Sequence, residues 1–212
     1  MSKDLSQYRD KYLKGELNEN DLSENPFVLF TEWFNEIEKY GSEREPNAMS
    51  LSTVSSSSSP ITRIVLLKKF SELGFVFFTN YDSRKGKNIT NNPNVCLSFY
   101  WPSMERQVII QGIANKISEK DSNEYFNSRP ESSRVGAIIS DQSEVISSRK
   151  YIDDKLKNFN INNKNMTKPK NWGGYNVVPS SIEFWQGRDN RLHDRIIFFS
   201  ESKVWKFNRL SP

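Results

Sequence analysis

Apolar positions near the N-terminus follow a helical period. The three- and four-residue spacing of a helix runs through Phe27, Phe30, Phe34 and Ile37. Asn25 is placed to cap this segment and Pro26 suits a first turn, so the pattern predicts a helix that ends between residues 41 and 46. Residues 1–24 are polar and lack a strong period, which predicts a flexible arm that orders only against a partner or ligand.

Beyond residue 48 the period becomes that of strands. Apolar runs between turn residues predict strands over 49–54, 61–70, 75–79, 95–101, 107–117, 181–186, 195–199 and 204–209. The serines of 55–59, followed by Pro60, are typical of a hairpin turn. At least six strands, mostly joined by short turns, favour an α+β, mainly β fold: an antiparallel barrel with peripheral helices.

Capping residues predict the remaining helices. These are one short helix between Ser83 and Pro93, and others over 118–126, 133–139 and 143–159. Ser83 is the expected N-cap of the first, and Ser118 with Asp121 has the form of a capping box. The Lys- and Asn-rich segment 160–171 is expected to be an exposed connection. Since no repeat and no convincing boundary occurs, residues 25–212 are predicted to form a single domain.

Composition narrows the class of protein. The 212 residues carry a net charge of +4, and 13% aromatic residues argue against disorder despite a mean hydropathy of −0.71. No apolar run approaches the roughly 18 residues that span a bilayer, and the N-terminus lacks the apolar core of a secretory signal. The single cysteine, Cys96, fits a reducing cytosol, so a cytoplasmic protein is expected. One cysteine and one histidine disfavour a Cys/His zinc site, and no metal is expected.

Three segments suggest anion binding. Arg84 and Lys85 fall in the first turn of a predicted helix, where cations oppose the helix dipole, and a bound phosphate would resolve that conflict. Arg63 and Lys68 end an apolar strand but, five residues apart, they face opposite sides unless the strand bends. Residues 125–133 offer a phenol, a guanidinium and hydroxyls for a second phosphate, although a capped turn between helices explains them equally well.

The segment 183–195 concentrates unusual side chains. It contains a tryptophan, the only histidine and three arginines: Trp185, His193, Arg188, Arg191 and Arg195. The arginines would grip an anionic group, the tryptophan would pack on a flat ring, and the histidine would titrate near neutrality. A surface loop with ordinary charges is the alternative. No dinucleotide-binding, P-loop or nucleophile-elbow motif occurs in the chain.

Ten short segments, in order along the chain, resemble the pyridoxine/pyridoxamine 5'-phosphate oxidase family, FMN enzymes of vitamin B6 metabolism. They are Pro46–Met49, Arg63–Lys68, Ser83–Lys85, Glu105–Val108, Tyr125–Pro130, Gln142–Ser143, Trp172–Gly174, Ile182–Gly187, Arg191–Arg195 and Arg209–Pro212. Each is weak alone, but their common order from about Asp21 to Pro212 is specific. The resemblance implies an FMN-binding split β-barrel that works as a homodimer, with two FMN sites at the subunit interface.

The resemblance also implies roles for single residues. FMN contacts fall to Arg63, Ile64, Val65, Leu66, Leu67, Lys68, Phe78, Thr79, Arg84, Lys85, Gln107, Gln142, Ser143, Trp185 and Arg195, some of them from the partner subunit. Substrate contacts fall to Lys68, Tyr125, Arg129, Ser133, Arg191, Leu192, His193 and, in the arm, Arg9 and Tyr12. Arg191 and His193 are the implied catalytic residues, which lie over the substrate ring and mainly orient it and tune its charge, with proton transfer as the lesser alternative.

The implied reaction oxidises pyridoxamine 5'-phosphate or pyridoxine 5'-phosphate to pyridoxal 5'-phosphate. A hydride passes from C4′ of the substrate to N5 of the flavin, and O2 reoxidises FMN to give H2O2. Two positions depart from the family pattern: Phe78 stands where tyrosine is common, and Ile138 replaces a frequent tryptophan. The alternatives are a split-barrel flavoprotein with another substrate, a structural dimer, and a basic nucleic-acid module. Scattered rather than clustered Lys and Arg disfavour nucleic acid as a partner, and no membrane partner is expected.

Overall fold

A computed structural model of the chain describes residues 1–162, 166–202 and 204–212. Its helices are α1 (Pro26–Tyr40), α2 (Arg84–Asn91), α3 (Glu119–Ser128), α4 (Glu131–Ile139) and α5 (Arg149–Asn162). Its strands are β1 (Ala48–Val54), β2 (Pro60–Leu66), β3 (Lys69–Ser71), β4 (Gly74–Asn80), β5 (Asn94–Trp101), β6 (Arg106–Lys116), β7 (Trp172–Gln186), β8 (Asp194–Glu201) and β9 (Val204–Arg209). Short 3₁₀ helices cover Glu19–Asp21, Pro102–Met104 and Asp189–Arg191.

The strands form one nine-stranded sheet. Its order is β2-β1-β5-β6-β7-β4-β3, with β8 paired to β7 and β9 paired to β8. The pairs β3–β4, β4–β7, β7–β8 and β8–β9 are antiparallel. The predicted mainly β, antiparallel fold with additional helices is confirmed.

The chain divides into two compact units, named here the terminal unit and the central unit. The terminal unit comprises Met1–Met49, Leu97–Gln111 and Pro179–Pro212. Aromatic rings fill its core: Trp33 packs edge-on against Phe184 at 5.2 Å, and Phe30 against Phe99 at 5.5 Å. These four side chains are at most 4% exposed. Full burial of such a side chain is worth about 1.5–3 kcal/mol, so the helical aromatics of α1 hold the helix to the strands.

The central unit comprises Ser50–Cys96 and Gly112–Val178. Phe77 and Tyr175, from the paired strands β4 and β7, are nearly inaccessible and lie 5.7 Å apart. A second apolar cluster joins α4 to α5 through Val135, Ile139 and Phe159, and Ile138 packs against it. Ile138, which stands where the family often has a tryptophan, therefore lies in this helix–helix contact.

The predicted caps and the serine turn are confirmed. The side chains of Asn25, Ser83 and Ser118 accept hydrogen bonds from the backbone N–H groups two or three residues ahead, those of Phe27, Gly86 and Asp121. The N–H of Ser55 donates to the carbonyl of Ser59 at 2.9 Å, which closes the hairpin turn.

Three element boundaries differ from the predictions. The strand predicted over 61–70 is broken, because the chain leaves the β2 ladder after Leu66 and resumes as β3 at Lys69. The helix predicted from residue 143 begins at Arg149, since Ser143 has a left-handed φ of 77° that an α-helix does not accept. Strand β7 begins at Trp172 and not at 181, and its first half pairs with β4. Residues 163–165 of the predicted connection lie outside the described residues.

Candidate active site

The central unit contains a cavity of about 450 Å³. It is lined by Arg63, Ile64, Val65, Leu66, Lys68, Phe78, Thr79, Asn80, Lys85, Tyr125, Arg129, Ser133, Gly136, Ala137, Ser140, Gln142 and Trp172. Four of these residues are cationic and none is an aspartate or glutamate. Within the described residues, none of the four cations takes part in an ion pair. The cavity is thus electropositive without an internal counter-ion.

The break after β2 brings Arg63 and Lys68 to the same cavity. On an uninterrupted strand their side chains would point to opposite sides, so the bend that the spacing required is present. The Arg63 guanidinium is anchored by hydrogen bonds to the Leu51 carbonyl at 3.0 Å and to Thr53 Oγ1 at 2.8 Å. Burial, with the nearby Arg84 charge, lowers the pKa of Arg63.

Lys85 lies in the first turn of α2 and is 8% exposed. Its ammonium donates to Gln142 Oε1 at 2.9 Å, to Thr79 Oγ1 at 3.2 Å and to Ser83 Oγ at 3.4 Å. All three acceptors are neutral. Burial and the charge of Arg63 therefore lower the pKa of Lys85 to about 8.

Three stacked aromatic rings form one wall of the cavity. Phe78 lies 3.8 Å from Tyr125 and 5.5 Å from Trp172, measured between ring centroids and with nearly parallel planes. Phe78 pairs with Gly174 across β4 and β7, where an added Cβ would approach the Phe78 ring to 2.9 Å. Glycine at 174 therefore makes room for the stack.

Two of the predicted substrate contacts, Tyr125 and Arg129, lie at the end of α3. Tyr125 and Arg129 are four residues apart, so they share one face of the helix end. The Arg129 guanidinium carbon lies 4.8 Å from the Trp172 ring, and its Nη1 is buried without a hydrogen-bond partner in the described residues. Burial lowers the pKa of Arg129 and raises the pKa of Tyr125, although each group partly offsets the shift of the other.

In the terminal unit, Tyr12, Trp185 and His193 form an aromatic cluster. The His193 ring lies 4.7 Å from Trp185 and 5.6 Å from Tyr12. The backbone N–H of Arg188 donates to His193 Nδ1 at 3.1 Å, so a neutral His193 carries its proton on Nε2. Burial and the charge of Arg191 lower the pKa of His193, against the opposite effect of Asp194. The neutral donor form is therefore favoured near neutral pH.

The three arginines of this segment differ in their partners. Arg188 is ion-paired with Glu16 and Asp194, and Arg195 with Glu183. Arg191 is exposed, has no ion pair in the described residues and adopts a left-handed φ of 64°. Two of the three arginines are thus already paired with carboxylates, Glu183 and Asp194 from the same segment and Glu16 from the arm, and joint binding of one anion by all three stays a prediction.

Several predicted contacts lie outside the cavity of the central unit. Leu67 is buried in the core, whereas Arg84 and Ser143 are exposed beside the cavity residues Lys85 and Gln142. In the terminal unit, Arg9 and Leu192 are exposed and Gln107 is half-buried. Their roles, like those of all the residues assigned by resemblance, stay predictions.

The sequence assigned no role to five residues that line the cavity: Asn80, Gly136, Ala137, Ser140 and Trp172. Trp172 carried a signal, because it belongs to one of the ten segments of the resemblance and the two glycines that follow it indicate a close backbone approach in a strand. Residues 136–140 carried none, since they occupy one turn of an ordinary amphipathic helix and its end.

Among the described residues, neither a metal-binding cluster nor a helix suited to cross a membrane occurs. No group of three or more His, Cys, Asp or Glu side chains there is arranged to hold a metal ion. None of the helices formed by these residues has the length and apolar character needed to cross a membrane.

Comparison with known proteins identifies the family. Residues 38–162 match the model described as pyridoxamine 5'-phosphate oxidase, and residues 172–212 match the pyridoxine 5'-phosphate oxidase C-terminal dimerisation region. A pyridoxine/pyridoxamine 5'-phosphate oxidase of Flavobacterium psychrophilum is 53% identical over 99% of this chain and 100% of its own length. Those of Flavobacterium johnsoniae and Christiangramia forsetii are 54% and 50% identical, over 98% and 100% of this chain and 99% and 100% of their own.

Solved structures show the same fold. PhzG from Burkholderia lata 383, in complex with tetrahydrophenazine-1-carboxylic acid, superimposes with a TM-score of 0.86 at 24% identity, over 91% of this chain and 95% of its own. An FMN-binding, pyridoxamine 5'-phosphate oxidase-related protein of Nostoc punctiforme superimposes with a TM-score of 0.70 at 15% identity, over 90% of this chain and 100% of its own. The predicted split-barrel fold is confirmed, and the chain belongs to the pyridoxine/pyridoxamine 5'-phosphate oxidase family.

Proposed function

We propose that the protein is an FMN-dependent oxidase that converts pyridoxamine 5'-phosphate and pyridoxine 5'-phosphate to pyridoxal 5'-phosphate. The observation that carries the proposal is the cavity of the central unit, where four cations meet without a carboxylate. Such a site favours ligands that bring their own negative charge. FMN and the substrate each bring a phosphate, and the cavity volume lies within the usual range for small-molecule sites.

The residues present fit a flat, phosphorylated cofactor. Backbone of β2 and the apolar Ile64, Val65 and Leu66 offer a surface for a ring system, while Arg63 and Lys85 supply positive charge. Lys85 reaches three neutral oxygens but no anion, so a phosphate would provide the charged partner that it lacks. We assign FMN to these residues, to Gln142 and, as the resemblance implies, to Arg84 and Ser143 beside them.

The substrate phosphate is assigned to Lys68, Tyr125, Arg129 and Ser133. The buried, unpartnered Nη1 of Arg129 supports this assignment, because an orphan donor of a cation is costly unless an anion accepts from it. Arg191 and His193 are assigned to the substrate ring. The neutral form of His193 presents Nε2–H as a donor, which suits it to hold the ring in place rather than to remove a proton.

When bound by these residues, FMN would supply the redox chemistry, a two-electron oxidation at C4′ of the substrate with O2 as the final acceptor and H2O2 as its product. With pyridoxamine 5'-phosphate, water supplies the aldehyde oxygen and the amino group leaves as ammonia. With pyridoxine 5'-phosphate, the alcohol is oxidised directly to the aldehyde. The C-terminal dimerisation region supports a homodimer, and we assign some FMN contacts to the partner subunit on the resemblance.

The test is an absorbance spectrum of the purified protein, followed by pyridoxamine 5'-phosphate under air. We expect a flavin spectrum, O2 consumption, equal amounts of H2O2 and pyridoxal 5'-phosphate, and little turnover of unphosphorylated pyridoxamine. Bound flavin without turnover of either phosphorylated compound would contradict the proposed substrate and favour another split-barrel flavoprotein. Failure to bind added FMN would contradict the cofactor as well.

A further inference from the structure

Trp172 contacts two of the residues assigned to the substrate phosphate, the aromatic Tyr125 and the cationic Arg129. Its ring is nearly parallel to that of Tyr125, at 7° and 6.2 Å between centroids. The guanidinium carbon of Arg129 lies 4.8 Å from the centre of the Trp172 ring. Trp172 is 6% exposed, so these contacts are largely shielded from water.

Arg129 is held by ring faces and not by polar partners. Among the described residues it forms no ion pair and no side-chain hydrogen bond, and its Nη1 is buried. Besides Trp172, the ring of Phe126 lies 5.9 Å from the guanidinium carbon. A cation–π contact restrains the guanidinium without using its N–H groups. No hydrogen bond to another described residue therefore competes with an anion for these donors.

Trp172 is itself fixed from several sides. Phe126 packs edge-on against it at 5.1 Å, and Phe78 stacks on it at 5.5 Å. Its backbone N–H donates to the Pro169 carbonyl at 3.1 Å, and its carbonyl accepts from Lys168 Nζ at 2.8 Å. Lys168 in turn pairs with Glu119 at the start of α3. The tryptophan is thus a rigid platform tied to the helix that carries Tyr125 and Arg129.

We propose that Trp172 is a positioning residue that sets the preference for phosphorylated substrates. It acts by holding the Tyr125 ring and the Arg129 guanidinium in the orientation that meets the phosphate. This inference rests on the proposed function, since it concerns the substrate phosphate of that reaction. It predicts that changes at Trp172 weaken substrate binding more than they slow the chemical step.

The first experiment compares Trp172→Leu and Trp172→Phe in the FMN-loaded enzyme. We expect Trp172→Leu to raise KM for pyridoxamine 5'-phosphate about tenfold, the factor that corresponds to one shielded cation–π contact, with kcat within about twofold. Trp172→Phe keeps an aromatic face and should recover most of the loss. Tyr175→Leu is the matched control, because Tyr175 is equally buried on the same strand but packs on Phe77 and Tyr81.

The second experiment is a double-mutant cycle that combines Trp172→Leu with Arg129→Gln. Titration calorimetry measures the Kd of pyridoxal 5'-phosphate for each protein, with and without FMN. If Trp172 acts through Arg129, Trp172→Leu should weaken binding about tenfold in the wild type and less than about twofold in Arg129→Gln. Additive losses, or equal losses in Tyr175→Leu, would overturn the inference. Additive losses together with normal turnover would contradict the role of Trp172 and leave the proposed function standing. Non-additive losses without any turnover would support the role of Trp172 and contradict only the oxidase function.

Discussion

The protonation state of Lys85 couples ligand binding to pH. Its ammonium is buried against neutral oxygens near Arg63, and its pKa falls to about 8. A lowered lysine pKa means that the folded protein releases this proton before the unfolded chain does. Lys85 therefore destabilises the fold below pH 8, and this cost fades as the pH rises from about 8 towards the ordinary lysine value.

The linkage predicts the pH dependence of FMN binding. A bound phosphate favours charged Lys85, so binding takes up a proton above pH 8 and affinity falls as the pH rises. Between pH 7.5 and 9 we expect the Kd of FMN to increase up to about tenfold in the wild type. Lys85→Arg keeps its charge over this range and should show a nearly flat profile. Identical profiles for the two proteins, measured by flavin fluorescence titration, would remove Lys85 from the linkage.

At the scale of elements, α2 is a short helix whose N-cap also contacts a lysine of the cavity. Ser83 is inaccessible, and its hydroxyl donates to the Asn80 carbonyl at 2.6 Å while it accepts from the Gly86 N–H. The same oxygen accepts from Lys85 Nζ. The cap thus fixes both the helix start and the cationic side chain in its first turn.

Two cap variants separate these roles. Ser83→Ala and Ser118→Ala each remove a cap hydrogen bond, so each should lower the free energy of unfolding by about 1–2 kcal/mol. Only Ser83→Ala should also raise the Kd of FMN several-fold, because Ser118 caps α3 away from the assigned cofactor residues. Urea unfolding and FMN titration measure the two effects. Equal FMN affinities in both variants would contradict a role for the α2 N-terminus in cofactor binding.

The elements were predictable where local chemistry decides them. Caps at Asn25, Ser83 and Ser118 and the alternating strands depend on near neighbours in the chain, and they were correct. The break after Leu66 was not, because Lys68 donates its N–H to the Val76 carbonyl of another strand. Glu183 and Glu16 likewise pair with arginines 12 and 172 positions away. Such contacts form only when the folded chain brings the partners together, so the sequence around each residue does not predict them.

At the scale of the whole molecule, ion pairs tie the N-terminal arm to the C-terminal strand within the terminal unit. Arg209 of β9 pairs with Glu19 and Asp194, and it donates to the Leu17 carbonyl. The Arg209 guanidinium lowers the pKa of Glu19 to about 2, so this pair persists through mildly acidic pH. Tyr12, Lys14, Glu16, Leu17 and Glu19 of the arm all contact other parts of the terminal unit, whereas the flexibility predicted for the arm stays a prediction.

Limited proteolysis tests how the arm is held. Lys14 donates its backbone N–H to Glu105 at 2.9 Å, so trypsin should cut the wild type after Lys3, Arg9 or Lys11 much faster than after Lys14. Arg209→Ala should make cleavage after Lys14 several-fold faster, because the arm loses its anchor. Lys206→Ala, on the same strand but paired with Glu201, should not. Equal protection of Lys14 in all three proteins would show that Arg209 does not hold the arm.

The electropositive cavity also has a practical meaning for work with this protein. The four cations that line the cavity without a counter-ion will attract small anions from the solvent, and the attraction is strongest for multivalent anions. Inorganic phosphate or sulfate in a buffer then acts as a competing ligand that stabilises the protein by mass action. A melting temperature or FMN affinity measured in such a buffer describes an exchange of one anion for another, and comparison between preparations requires the same anion at the same concentration.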